Sequence, residues 1–168
     1  MFCSLKNCRF GAFSGLTSSD EIVTNCVRNI MPKKAPVRKK LNRQEKRDLD
    51  IEIGFLEGLV KRDPGYVDAL QILGDDYTKR GKFTLGLKID QRLAVLRPRD
   101  SLVYYNLACS YCLTGKMDEA AEALEQALDY GYRDFKWLAE DPDLVELRDH
   151  EAYSRVRAKV RSLRVKVH

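Results

Sequence analysis

Leu73 and Leu107, Tyr77 and Tyr111, Gly81 and Gly115, Lys82 and Lys116, and Pro64 and Pro98 each stand thirty-four residues apart. A constant period of that size is the signature of a solenoid, in which one small unit recurs and each copy buries the open face of its neighbour. The recurring glycine and proline are helix punctuation, because glycine accepts the left-handed conformation that ends a helix and proline cannot continue the hydrogen-bond ladder. The period therefore predicts paired helices.

The apolar residues agree. Leu49, Ile53, Leu56, Leu59 and Val60 recur at spacings of three and four, predicting an amphipathic helix from Asp48 to Arg62 that stops at Asp63-Pro64-Gly65. A second helix is expected from about Val67 to Arg80, with Leu70, Leu73 and Tyr77 on one face and Gly81 as its stop. A third is expected from about Thr84 to Leu96, with Leu85, Ile89, Leu93 and Leu96 inward and Arg97-Pro98 as its end.

On these residues the chain resembles the tetratricopeptide repeat family. Residues 67–100 supply Leu70, Leu73, Gly74, Tyr77, Gly86, Leu93 and Pro98, and residues 101–134 supply Tyr104, Leu107, Ala108, Tyr111, Ala120, Leu124 and Ala127. Asp90 and Tyr132 depart from the pattern, and Asp90 predicts a weaker inter-helix contact in the first repeat. The segment after the repeats is similar to the closing segment of certain bacterial members, through Trp137, Leu138, Asp141, Pro142, Asp143, Leu144, Leu147 and Arg148. Asp141 followed by Pro142 reads as a helix start, and Asp149 as the cap of a last helix with Tyr153, Val156, Val160 and Leu163 inward. The resemblance implies an all-α, right-handed helical solenoid. Its expected parts are a disordered basic tail over 1–44, a half repeat or capping helix over 45–66, repeats at 67–100 and 101–134, and capping helices with a basic tail over 135–168.

Charge is distributed unevenly. The chain is +5 overall, yet residues 31–47 hold eight Lys or Arg against Glu45 alone, and residues 155–168 hold six with no acid. Between them, residues 48–154 carry thirteen basic and twenty-two acidic groups, a difference of −9. Lys33, Lys34, Arg38, Lys39, Lys40 and Arg43 are candidate polyanion contacts, and RNA or ribosome association through 33–47 is the alternative reading of function. No aromatic residue in that stretch offers base stacking, and a terminal charge run can equally be solvated or lie against the acidic middle. Met31 opens a Lys- and Pro-rich stretch that resembles a protein start, so residues 1–30 read either as part of the disordered tail or as an upstream extension outside the native protein.

Candidate chemistry is sparse. Cys3, Cys8, Cys26, Cys109 and Cys112 are an odd set without an evident disulfide framework. Cys109 and Cys112 fall in mid-helix with no second pair and with only His150 and His168 as imidazoles, so they read as packing or groove lining rather than a zinc or dithiol site. There is no glycine-rich phosphate loop, no His-Glu-x-x-His and no convincing triad. Asp75-Asp76 and Glu140-Asp141 with Asp143 read as solvated or capping acids. The expectation is a non-enzymatic chain with no cofactor and no metal. The start lacks an apolar signal core, and no run approaches the length of a membrane span. A cytoplasmic protein without membrane contact is expected.

The resemblance implies a concave face lined by Asp68, Gln71, Asp75, Thr78 and Lys79 from the first repeat and Leu102, Tyr105, Asn106, Cys109, Cys112 and Leu113 from the second. Such a groove is polar and mildly acidic at one end and apolar at the other, suited to a peptide or helix of a protein partner with basic and apolar residues. Some members clamp a carboxylate-ended tail with Lys, Arg and Asn, whereas here Gln71 and Asp75 hold the first-repeat positions and only Asn106 fits. Two alternatives stay open: the last helices fold over Leu102 and Tyr105 and leave no groove, or an imperfect cap pairs with its own copy.

Overall fold

A computed structural model describes residues 40–165. The expectations for residues 1–39, including Lys33, Lys34, Arg38 and Lys39, lie outside the described residues, as do 166–168. The described chain forms eight α-helices and one 3-10 turn: α1 (Arg43–Arg62), α2 (Val67–Arg80), α3 (Phe83–Leu96), α4 (Ser101–Leu113), α5 (Met117–Asp129), α6 (Phe135–Glu140), the turn Pro142–Leu144, α7 (Val145–Asp149) and α8 (Tyr153–Val165). Consecutive helices pack from α1 through α5, and α8 closes against α5.

Helix α1 starts five residues before the periodicity suggests, because Asn42 and Glu45 build a reciprocal cap. Asn42 Oδ1 accepts from the backbone N–H groups of Gln44 and Glu45, while the Asn42 N–H donates to Glu45 Oε2. Helices α2 and α4 stop alike. Gly81 and Gly115 take φ values of 81° and 77°, and the residue after each returns its N–H to Tyr77 and Tyr111, respectively.

Helix α3 is wedged between two neighbours and so buries two faces. Ile89 and Leu93 join the core of α1 and α2, Leu87 joins that of α4 and α5, and Ala94 touches both. Leu85 and Leu96, expected inward, are exposed. A one-stripe reading fails for a helix with partners on two sides. The approach of α2 to α3 requires small residues: a methyl group on Gly86 would stand 3.1 Å from Thr78 Oγ1, and one on Gly74 would stand 3.1 Å from Asp90 Oδ1.

The C-terminal segment opens with Asp134 capping α6 through the Trp137 N–H, and continues with Asp141 accepting from the Asp143 N–H ahead of Pro142. Asp149 does not cap the last helix. It ends α7, and His150 Nδ1 instead accepts the N–H of Ala152 before α8 begins. Part of the basic C-terminal stretch faces acids on α5, where Lys159 pairs with Asp129 and Arg155 lies 3.9 Å from Glu125.

The turn between α3 and α4 is strained. Arg99 adopts φ 72°, a conformation that costs a residue with a side chain about 1–2 kcal/mol. Arg99→Gly should raise stability by about 0.5–1 kcal/mol, the relief of strain being partly offset by the freedom glycine regains on unfolding. Urea denaturation of the two chains checks it, and an unchanged midpoint would count against the strain.

Candidate functional site

The concave side of α2 and α4, roofed at one end by the C-terminal segment, encloses a groove of about 430 Å³. Gln71, Asp75, Thr78 and Lys79 line it from α2, and Asn106 and Leu113 from α4. Trp137, Asp141, Pro142 and Asp143 line it from the closing segment, and Leu41 stands where the chain enters α1. Asp68 and Leu102, both expected here, are exposed outside the lining, and Cys112, also expected, is buried and does not line it.

The second-repeat end is not the open apolar surface expected. Tyr105 is 4% exposed, and its hydroxyl donates to Asp141 Oδ2 at 2.6 Å. Its ring stacks on Tyr132 with centroids 4.3 Å apart, and the Cys109 thiol points at the same Asp141 oxygen from 3.7 Å. Leu144 and Leu147 are fully buried in the core shared with α4 and α5. A solenoid end must cover its last apolar face, and here the cover runs across the concave side of α4. Tyr105 and Cys109 become a buried floor, while the open part belongs to α2, Asn106 and the rim of the closing segment.

The floor is acidic. Asp90, buried on α3, accepts a hydrogen bond from Ser110 on α4, and the missing side chain of Gly74 leaves room for its second oxygen. The polar departure in the repeat thus carries a hydrogen bond to the next repeat. Burial pushes the Asp90 carboxyl up to about 6, against the Ser110 hydrogen bond and with help from the Asp75 charge. Asp75, Asp141 and Asp143 add carboxylates, and the one cation among the described lining residues, Lys79, stands 3.2 Å from both Asp75 and Asp76.

The thiols do not have the environment of reactive ones. Burial drives Cys109 well above its ordinary range with Asp141 adding to it, and burial moves Cys112 to about 11. A nucleophilic or metal-binding thiol needs the opposite shift. Among the described residues no cluster of three or more His, Cys, Asp or Glu could hold a metal ion. Of the candidate polyanion contacts, Lys40 and Arg43 are described, and both are exposed.

Sequence reasoning places Gln71, Asp75, Thr78, Lys79 and Asn106 on the groove but misses Trp137, Pro142 and the role of Asp141 and Asp143. In sequence all four read as parts of a cap, and the signal that could have moved them is Tyr105, whose buried hydroxyl needs an acceptor. Asp90 is conspicuous in sequence, but its partner Ser110 is not.

No family model matches the chain. It is 36% identical over 78 residues to a protein of Arabidopsis thaliana whose name marks it as chloroplastic, covering 45% of this chain and 23% of that protein. It is 28% identical over 102 residues to the "PEX5-related protein" of Homo sapiens, covering 61% of this chain and 15% of that one. The chain thus spans less than a quarter of the length of these relatives. Among solved structures, "MamA RS-1 ArsTM double mutant" superposes with a TM-score of 0.56 at 21% identity, over 71% of this chain and 67% of that one. "MamA MSR-1 C2" gives 0.54 at 21% identity, over 72% and 70%. These likenesses show the fold, a tetratricopeptide-type helical solenoid.

Two measurements follow from the floor. The fold favours protonated Asp90, so as pH rises from about 4 the unfolded chain releases that proton first; stability falls until about pH 6 and then levels, a loss of about 2–3 kcal/mol from this group. Asp90→Asn should therefore be more stable than the parent at pH 7, with the advantage vanishing near pH 4 in urea titrations. In the native chain, peptides holding Cys109 and Cys112 should stay unmodified by iodoacetamide at pH 8 and react once denaturant is added, as read by mass spectrometry.

Proposed function

We propose that the chain is a non-catalytic protein-interaction module whose groove holds an extended, cation-bearing segment of a partner protein. The observation that carries this is the groove's composition: four carboxylates against one already paired lysine, beside a Trp137 that is 46% exposed. A lysine or arginine of a ligand gains from partly desolvated carboxylates, because attraction strengthens where water is thinned. Trp137, Pro142 and Leu113 provide apolar contact for its stem or a neighbouring side chain. Gln71 and Asn106 offer amides to the backbone of an extended peptide.

The solenoid fold supports this reading, since stacked repeats present a long concave surface rather than an enclosed reaction chamber. The buried thiols support a non-catalytic role. The closing segment is read as the bacterial type and the place of work as the cytoplasm. No helix among the described residues is long and apolar enough to cross a membrane. The relative with a chloroplastic name makes an organelle interior the alternative compartment.

The test is affinity capture from the native lysate, followed by titration of the recovered partner. Trp137→Ala should weaken binding by about 2 kcal/mol, roughly thirtyfold. Asp75→Lys should abolish it, and Leu102→Asp, outside the groove, should leave it intact. Equal binding by all three variants would sink the assignment of this groove.

A further inference from the structure

The polypeptide preceding α1 leaves the described structure at the groove itself. Leu41 lines the groove and packs against the core of α1 and α2, and Lys40 beside it in the chain is exposed. The six residues before it, "KAPVRK" at 34–39, carry Lys34, Arg38 and Lys39 and no acid. We propose that this segment of the chain docks in its own acidic groove, so that a partner must displace it to bind.

Charge complementarity is the first support. Asp75, Asp90, Asp141 and Asp143 face a groove in which the one lysine among the described lining residues is already paired with Asp75 and Asp76, while the segment brings three cations. Reach is the second. Six residues can span at most about 20 Å. Because Leu41 itself lines the groove, that length begins at the groove's edge. Tethering is the third. A segment joined directly to the groove's edge acts at an effective concentration of about millimolar, enough to hold a weak cationic ligand in place. The inference rests on the groove being a receptor for cationic segments, and it adds regulation: the free chain is self-occupied, and affinity for a partner is lowered by the cost of displacement.

Zero-length carbodiimide coupling of the full chain should join Lys34 or Lys39 to Asp75 or Asp143. In an equal mixture of ¹⁴N- and ¹⁵N-labelled protein, those cross-links should be of one isotope, identifying a single molecule. In parallel, the fluorescent synthetic peptide KKAPVRKK should bind full-length Lys34→Gln/Arg38→Gln/Lys39→Gln about tenfold more tightly than the unaltered chain, because its tethered competitor is gone. Lys61→Gln/Arg62→Gln/Arg97→Gln, which loses the same charge elsewhere, should bind the peptide no better than the unaltered chain. Mixed-isotope cross-links would overturn the proposal in favour of a second copy's segment. Equal peptide binding by all three chains without cross-links would overturn it while leaving the groove as a receptor. Absence of both cross-links and peptide binding would remove the receptor reading as well.

Discussion

The hydrogen bond from the Tyr105 hydroxyl to the Asp141 carboxylate decides what the concave face of this solenoid can present. Asp141 is buried, with one oxygen taken by Tyr105 and the other by the Asp143 N–H. A buried carboxylate is tolerable only when its lone pairs are met, so Tyr105 and Cys109 of α4, both on Asp141 Oδ2, fix the closing segment in one place across that helix. Leu144 and Leu147 then reach the core, and the Tyr105–Tyr132 stack is shut away from water. Apolar surface that a longer array would cover with another repeat is covered here by the 3-10 turn, α7 and α8.

Closing the end in this manner converts the groove from apolar to acidic. The inward residues of α4 are occupied in holding the cap, and what remains open comes from α2 together with the rim that the cap contributes. Asp90 follows the same logic. Its carboxylate, held by Ser110 and given room by Gly74, puts a poorly solvated negative charge under the groove. A partly buried ion recognises a cation better than an exposed one, at the expense of some stability near neutral pH. Binding chemistry and folding energy pull in opposite directions at that residue.

Much of the fold was legible beforehand because its causes are local. Pro64, Gly81, Pro98 and Gly115 end helices through their own backbone properties, whatever surrounds them. The thirty-four-residue period carries the helix pairs from one repeat to the next. Reading failed where a residue answers to more than one neighbour. Leu85 and Leu96 looked inward on a single-stripe helix, whereas α3 turns one face to α2 and another to α4. Cys109 and Cys112 sat at groove-facing places in the repeat, and the chain folded back over them.

By itself the sequence determined the helix pairs, their stops, the small residues that permit close approach, and the acidic character of the middle against basic ends, since each follows from spacing or composition along the chain. Only the tertiary structure decided which half of the concave face stays open. That outcome depends on a contact between residues thirty-six apart in sequence, Tyr105 and Asp141, and no periodicity records which buried donor will meet which acceptor once a chain has doubled back on itself.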